Sequence, residues 1–187
     1  GKPVPESKRY DYRRACHIHP LYDLDGAVLT DDFPPDHFHH RGVFWGWPHE
    51  TKIGDREADV WTLKGARTYN EKVTVGAVTA DMAEITFDNF WSYDDAPEDA
   101  IVREHLRVTV HAVKEGKRAI DMAMRLTNVS GKPLTLQGAT DKGYGGFNFR
   151  PNTARAPFAF YASSGLIPED QLRLDSPWAA IALTNEK

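Results

Sequence analysis

The stretch "IVREHLRVTVHAV" (residues 101–113), followed after "KEGK" by "RAIDMAMRLTNV" (118–129), decides the fold. Apolar and polar residues alternate in both halves, and successive side chains of a strand point to opposite faces. Val102, Leu106, Val108, Val110 and Ala112 therefore share one face of the first strand, and Arg103, His105, Arg107, Thr109 and His111 share the other. In the second strand Ile120, Met122, Met124 and Leu126 point inward, while Asp121 and Arg125 point outward. The short polar connection closes the two into an antiparallel hairpin, with Val108, Val110, Met122 and Leu126 in the core.

The same kind of pattern continues on both sides. Strands are expected near 43–47, 58–63, 66–79, 82–92, 134–140, 145–149, 157–163 and 178–184, bounded by Gly, Pro, Asn and Asp. Helical periodicity is absent. Many short strands at this spacing predict an all-β protein, an antiparallel β-sandwich. The 187 residues suffice for one domain with a real core, spanning 1–187. There is no internal repeat, low-complexity tract or linker, and the acidic "YDDAPEDA" (93–100) reads as a solvated surface loop. The chain opens on a polar, Pro-containing segment and closes on "SPWAAIALTNEK", a strand running into a turn with no closing element. The expectation is a piece of a longer protein.

Composition narrows the function classes. Lys plus Arg is 23 and Asp plus Glu is 27, a net charge of −4, which argues against a nucleic-acid partner. No apolar run approaches the roughly 18 residues of a membrane-spanning helix. A start at Gly1 without Met is compatible with a removed leader, which leaves exported, periplasmic and cytoplasmic locations open. The single cysteine, Cys16, allows no internal disulfide. Aromatic residues make up 11%, with five Trp; they serve either β-core packing or a sugar-stacking surface.

The chemistry concentrates in "DDFPPDHFHHRGVFWGW" (31–47), with "HIHPLY" (17–22) just upstream. His37, His39 and His40 fall within four positions, and His17 and His19 precede them. Pro34 and Pro35 lack N–H donors, so this is a rigid loop and not a central strand. In an extended backbone His37 and His39 face one way and His40 the other. A turn, permitted by the prolines and Gly42, would bring them together. Three readings follow. Neutral imidazoles suit a divalent metal, with His19, His37, His39 and His40 as candidate ligands and Asp36 as a carboxylate to complete the site, although no strong zinc signature is present. Imidazole also suits proton transfer near neutral pH. In that reading His37 or His39 is the base, His40 completes the catalytic group, Arg41 binds an anion, and Tyr144, among glycines in "DKGYGGFNFR" (141–150), is the acid. The bland reading is that each imidazole bonds backbone in an irregular loop. The polar strand face Arg103, His105, Arg107 and His111 has a similar choice: a wet sheet face, or the lining of a concave sugar site.

These motifs together resemble a bacterial family of unknown function labelled PmoA-like, or "methane oxygenase PmoA". Its pattern runs from the HPLY segment through T-D-D-x-P-x-D-H-x-H-H-x-G to an Asp-x-Trp, here "DVW" (59–61), and a Tyr-Gly-Gly-x-x-Phe-Arg, here "YGGFNFR" (144–150). The resemblance covers roughly residues 17–150. The oxygenase label itself does not follow, because a membrane copper monooxygenase subunit needs spanning helices. What the resemblance implies is a sandwich similar to galactose-mutarotase-like domains and a role in bacterial sugar catabolism. It marks His19, Asp36, His37, His39, His40, Arg41, Asp59, Trp61, Tyr144 and Arg150, with Asp59, Trp61 and Arg150 as substrate-binding candidates beside the histidines. A later Asp-His-Pro-type segment of that family is not found here. The expected function is a carbohydrate-active protein, an enzyme of lyase or epimerase type using His/Tyr acid–base chemistry. A metal-dependent hydrolase and a non-catalytic sugar-binding module are the alternatives. The expected partner is a carbohydrate or other small molecule.

Overall fold

The computed structural model describes residue 12 and residues 14–48, 51–140, 143–169 and 175–183. It is all-β and antiparallel, without a closed barrel. Among the described residues thirteen strands follow in chain order: β1 (His17–Ile18), β2 (Val43–Gly46), β3 (Thr51–Ile53), β4 (Arg56–Ala58), β5 (Ala66–Val78), β6 (Met82–Tyr93), β7 (Val102–His111), β8 (Ile120–Asn128), β9 (Leu134–Thr135), β10 (Gly146–Phe149), β11 (Phe158–Ala162), β12 (Gly165–Ile167) and β13 (Ala179–Leu183). A three-residue 3-10 turn, Thr153–Arg155, is the single helical element among the described residues. Among the described residues no helix is long and apolar enough to cross a membrane.

The hairpin read from the sequence is β7–β8, in the register Leu106 opposite Met124 and Val108 opposite Met122. Glu115 and Gly116 both have positive φ, the geometry of a two-residue hairpin turn whose twist matches the strands it joins. Strands β5, β6, β7 and β8 form one four-stranded sheet. Along β7 burial alternates from Val102 to Val108, as a sheet with one dry face requires. Two smaller sheets lie on that dry face. In one, of order β1-β2-β10, Cys16, Ile18 and Trp45 pack on Leu106, Val108 and Met124. In the other, of order β4-β3-β9, Ile53, Ala58 and Leu134 pack on Trp91, Val102 and Leu126. Val108 is fully in the core, while Val110, Met122 and Leu126 pack against it half-buried. The cover ends before the sheet does: Val73 and Val75, on the same face, are exposed. A fourth sheet, β12-β11-β13, exposes Phe160, Leu166 and Ile181.

One position breaks the apolar pattern of the dry face. Glu104 lies between Val102 and Leu106 and is 1% exposed. Its carboxylate accepts from Trp45 Nε1 at 2.8 Å, Trp91 Nε1 at 3.2 Å and Asn89 Nδ2 at 2.7 Å. Asn89 in turn accepts from Asn70 Nδ2 at 2.9 Å. A buried polar group is tolerated when it is hydrogen-bonded in this way. Nearby, the Cys16 thiol donates to the Trp45 carbonyl, receives the Thr68 hydroxyl proton and is fully enclosed; burial pushes it up from its ordinary pKa.

Two expected strands differ. Residues 58–63 leave β4 at Ala58 and turn, because the Asp59 carboxylate captures the N–H groups of Trp61 and Thr62 and the Thr62 hydroxyl. An Asp bonding backbone two residues on stabilises a turn over a strand. The strand expected over 134–140 pairs with β3 only at Leu134–Thr135. Strands β1, β3, β4 and β12 are two or three residues long, too short for alternation to reveal.

Replacing Glu104 tests this core. Glu104→Leu strands two indole N–H groups and an amide donor, and should cost more than about 3 kcal/mol in urea unfolding. Glu104→Gln keeps one acceptor and should cost about 1–2 kcal/mol. Equal stability of Glu104→Leu and wild type would contradict the network.

Candidate functional site

Strand β2 has two functional faces. Trp45 points to the core, and Phe44, on the opposite face, carries the histidine loop: its ring centroid lies 5.3 Å from that of His40 and 5.2 Å from that of Trp61. The loop before β2 makes successive tight turns, with His37 N–H donating to the Pro34 carbonyl and His40 N–H to the His37 carbonyl. Gly42 ends it at φ +57°, where an added Cβ would sit 2.3 Å from the Ile18 carbonyl oxygen, so this residue must be glycine.

These turns put the three imidazoles on one side. His37 stacks on His40 at 4.7 Å between ring centroids, and His39 meets His40 edge-on at 4.6 Å. Trp61 lies 6.1 Å from His39 and 5.7 Å from His40, and Tyr144 stacks on Trp61 at 4.8 Å. Five rings from three separate segments thus form one continuous cluster. Asp59 sits at the base of the turn that presents Trp61. Tyr144 comes from a loop where Gly138 and Gly145 touch: a Cβ on Gly145 would lie 2.7 Å from the Gly138 Cα. At Gly145 the missing side chain makes room for backbone.

Around the rings lie two ion pairs. Arg150 Nη2 reaches both oxygens of Asp36, at 2.9 and 2.8 Å, and Asp36 also takes His37 Nδ1 at 2.8 Å. Those partners, His37 first, hold the Asp36 carboxyl well below the usual carboxylate range. Arg41 turns away from the cluster. It is buried, pairs with Asp32, covers the Phe33 ring at 3.9 Å and donates to His17 Nε2 at 3.1 Å. His17 Nδ1 meets the Arg14 carbonyl at 3.0 Å, so His17 is neutral with its proton on Nδ1 and has no lone pair left for a metal. His19 Nδ1 bonds the Thr30 hydroxyl at 3.0 Å, and no ring contact among the described residues joins it to the other three. Among the described residues no group of three His, Cys, Asp or Glu side chains is arranged to hold a metal ion. A nitrogen lone pair lies in the plane of its ring, so the stacked His37 and His40 do not aim at a common point.

Arg14 was not foreseen. It is buried beneath the site, 5.0 Å from the Phe44 ring, and donates to the carbonyls of Trp45, Val60 and Trp61. It ties β2 to the Trp61 turn. Nothing in the polar segment before Cys16 distinguishes it from a surface arginine.

Burial, reinforced for His39 by Arg14 and for His40 by His39, pushes the His39 pKa down to about 4 and that of His40 to about 3. Both rings are neutral at pH 7 and accept protons only under load.

The chain belongs to DUF6807, a family of unknown function. The family matches residues 4–187. No curated protein and no solved structure gives a significant match. Membership in a family of unknown function agrees with the resemblance drawn from the motifs, but the oxygenase label and the mutarotase likeness receive no support from it. For this DUF6807 member the ring cluster, and not a name, is the guide to function.

The depressed histidines predict acid sensitivity. An imidazole titrates near 6.5 in the unfolded chain. The native values lie lower, so as pH falls the unfolded state binds protons first, and stability is lost from about pH 6.5 down toward the native values. Unfolding free energy should therefore be lower at about pH 5.5 than at about pH 7.5, a window above the range where most carboxylates titrate. His40→Asn should flatten that slope. A stability equal or greater at the lower pH would contradict the burial of these rings.

Proposed function

We propose that the cluster of His37, His39, His40, Trp61 and Tyr144 is the site of proton transfer on an acidic sugar, in a lyase or epimerase reaction. The observation that carries this reading is the assembly of three imidazoles, an indole and a phenol into one contiguous set from three chain segments. Tyr144, half-buried and backed by the buried Trp61 ring, offers aromatic surface to a sugar ring, and Arg150 with Asp36 offers a charged edge to its substituents. The motif resemblance implies a role in bacterial sugar catabolism.

The electrostatics favour an anionic substrate. After burial, Arg14 and His37 are the leading influences that hold His39 low, while Asp59 pulls it up. A carboxylate bound beside His39 would oppose the Arg14 cation and raise the His39 pKa toward neutrality, where a general base works best. A neutral sugar would leave it a weak base. His39 then removes the proton from the carbon next to the carboxylate, and the C–H electron pair moves into an enediolate. In elimination that pair expels the neighbouring oxygen, which takes its proton from Tyr144. In epimerisation Tyr144 gives its proton to the carbon on the other face, and solvent returns both groups to their starting protonation. Arg41, turned to Asp32 and His17, positions the loop.

The test is hydrogen exchange at the carbon next to the carboxylate, followed by NMR in D2O on a panel of uronates and oligouronides. Wild type should exchange that proton with at least one member. His39→Ala should slow the exchange about 10²–10⁴-fold, the usual worth of a positioned base, with its fold unchanged by circular dichroism. Tyr144→Phe should retain exchange and lose elimination. Absence of exchange across the panel, or an undiminished rate in His39→Ala, would overturn the assignment.

A further inference from the structure

The outer face of the four-stranded sheet carries Glu71, Glu84 and Asp88 on β5 and β6, with Lys72 beside them, and Arg103, His105, Arg107 and Arg125 on β7 and β8, with Asp121 near the hairpin end. On a merely wet face such charges pair off closely across strands, and three here do: Arg103 with Glu71, His105 with Asp88 and His111 with Asp121. Arg107 is held only loosely: its contact with Glu84 is a long 3.8 Å, and its direct neighbour on β8 is the small Ala123 instead of an acid. Arg125 has no ion pair or hydrogen bond among the described residues, and its cross-strand neighbour is His105.

The missing bulk at Ala123 leaves a cavity. It has a volume of 240 Å³ and is lined by His105, Arg107, Ala123, Met124 and Arg125. A second hollow of 140 Å³ continues it past Arg103 and Thr127, sharing His105 and Arg125. Strand β8 is the edge of this sheet, so the groove is open on that side.

The geometry points to this groove as a binding site for a small hydroxylated carboxylate, separate from the ring cluster. Arg107 and Arg125 present planar guanidinium donors on either side of the gap, the arrangement suited to a carboxylate. His105 lines the groove, and its Nδ1 lies 2.7 Å from Asp88 Oδ1; with the ring proton on that nitrogen, Nε2 of the neutral ring is an acceptor. An acceptor beside two cationic donors selects a carboxylate carrying a hydroxyl, the chemistry of a sugar acid or other hydroxy acid. The ligand would occupy the gap over Ala123, with its carboxylate between the arginines and a hydroxyl donating to His105.

The experiment is an NMR titration of the full chain with D-glucuronate, and with D-glucose as its uncharged counterpart. Glucuronate should move the amides of residues 105–107 and 123–125, and glucose should not. The Arg107→Ala/Arg125→Ala double variant should bind glucuronate at the groove about tenfold more weakly or worse, as expected for loss of charge-assisted bonds. Ala123→Leu keeps both arginines and fills the gap, and it should weaken binding as well. All three positions are exposed or face solvent on a paired strand, so the fold should survive. His39→Ala should leave the groove signals intact, which separates this site from the ring cluster. Equal shifts with glucose, or wild-type groove binding in either variant, would overturn the proposal.

Discussion

The buried carboxylate of Glu104 is the constraint on which the rest of the structure depends. A charge-bearing group 1% exposed between two layers fixes whatever satisfies it, and here that is Trp45 from one layer with Trp91 and Asn89 from the other. Once the Trp45 indole is held, β2 has one orientation, since neighbouring residues of a strand must face opposite ways. Phe44 then points to the other side and becomes the floor for His40 and Trp61. Arg14 completes the support by joining the backbone of β2 to that of the Trp61 turn. The core network and the candidate site are two faces of one four-residue strand.

Function inherits an electrostatic bias from this construction. Packing imidazoles against aromatic rings and near buried arginines disfavours their charged form. A metal ligand also needs a neutral imidazole, but it further needs lone pairs aimed at one point. Stacked and edge-on rings give the neutrality without the convergence. That difference is why proton transfer, and not metal binding, is the reading developed from this cluster.

Much of the fold was legible in the sequence because its signal is local. The alternation in 101–113 and 118–129 specifies β7, β8 and their register, and the inward set of Met122, Met124 and Leu126 follows from it. Glu104 was passed over on the inward face, since one polar residue in an apolar row has no local mark of having three donors waiting elsewhere in the chain. The turn at residues 59–63 looked like a strand because Val60, Trp61 and Leu63 have strand-like composition; the Asp59 side chain decides otherwise through its bonds to backbone. The crowding of His37, His39 and His40 could be read from two prolines and a glycine. The burial of Arg14 and the turning of Arg41 toward Asp32 could not, because both depend on partners brought by folding from distant segments.

The enclosure of Cys16 gives the molecule a built-in reporter. It is the only cysteine of the chain, and its sulfur lies between the Trp45 carbonyl and the Thr68 hydroxyl, where the two layers meet. A thiol reagent needs the thiolate and a path to it, and burial denies both. The rate at which such a reagent modifies this protein therefore counts the moments when the layers part, and so measures the opening of the interlayer core without any added label.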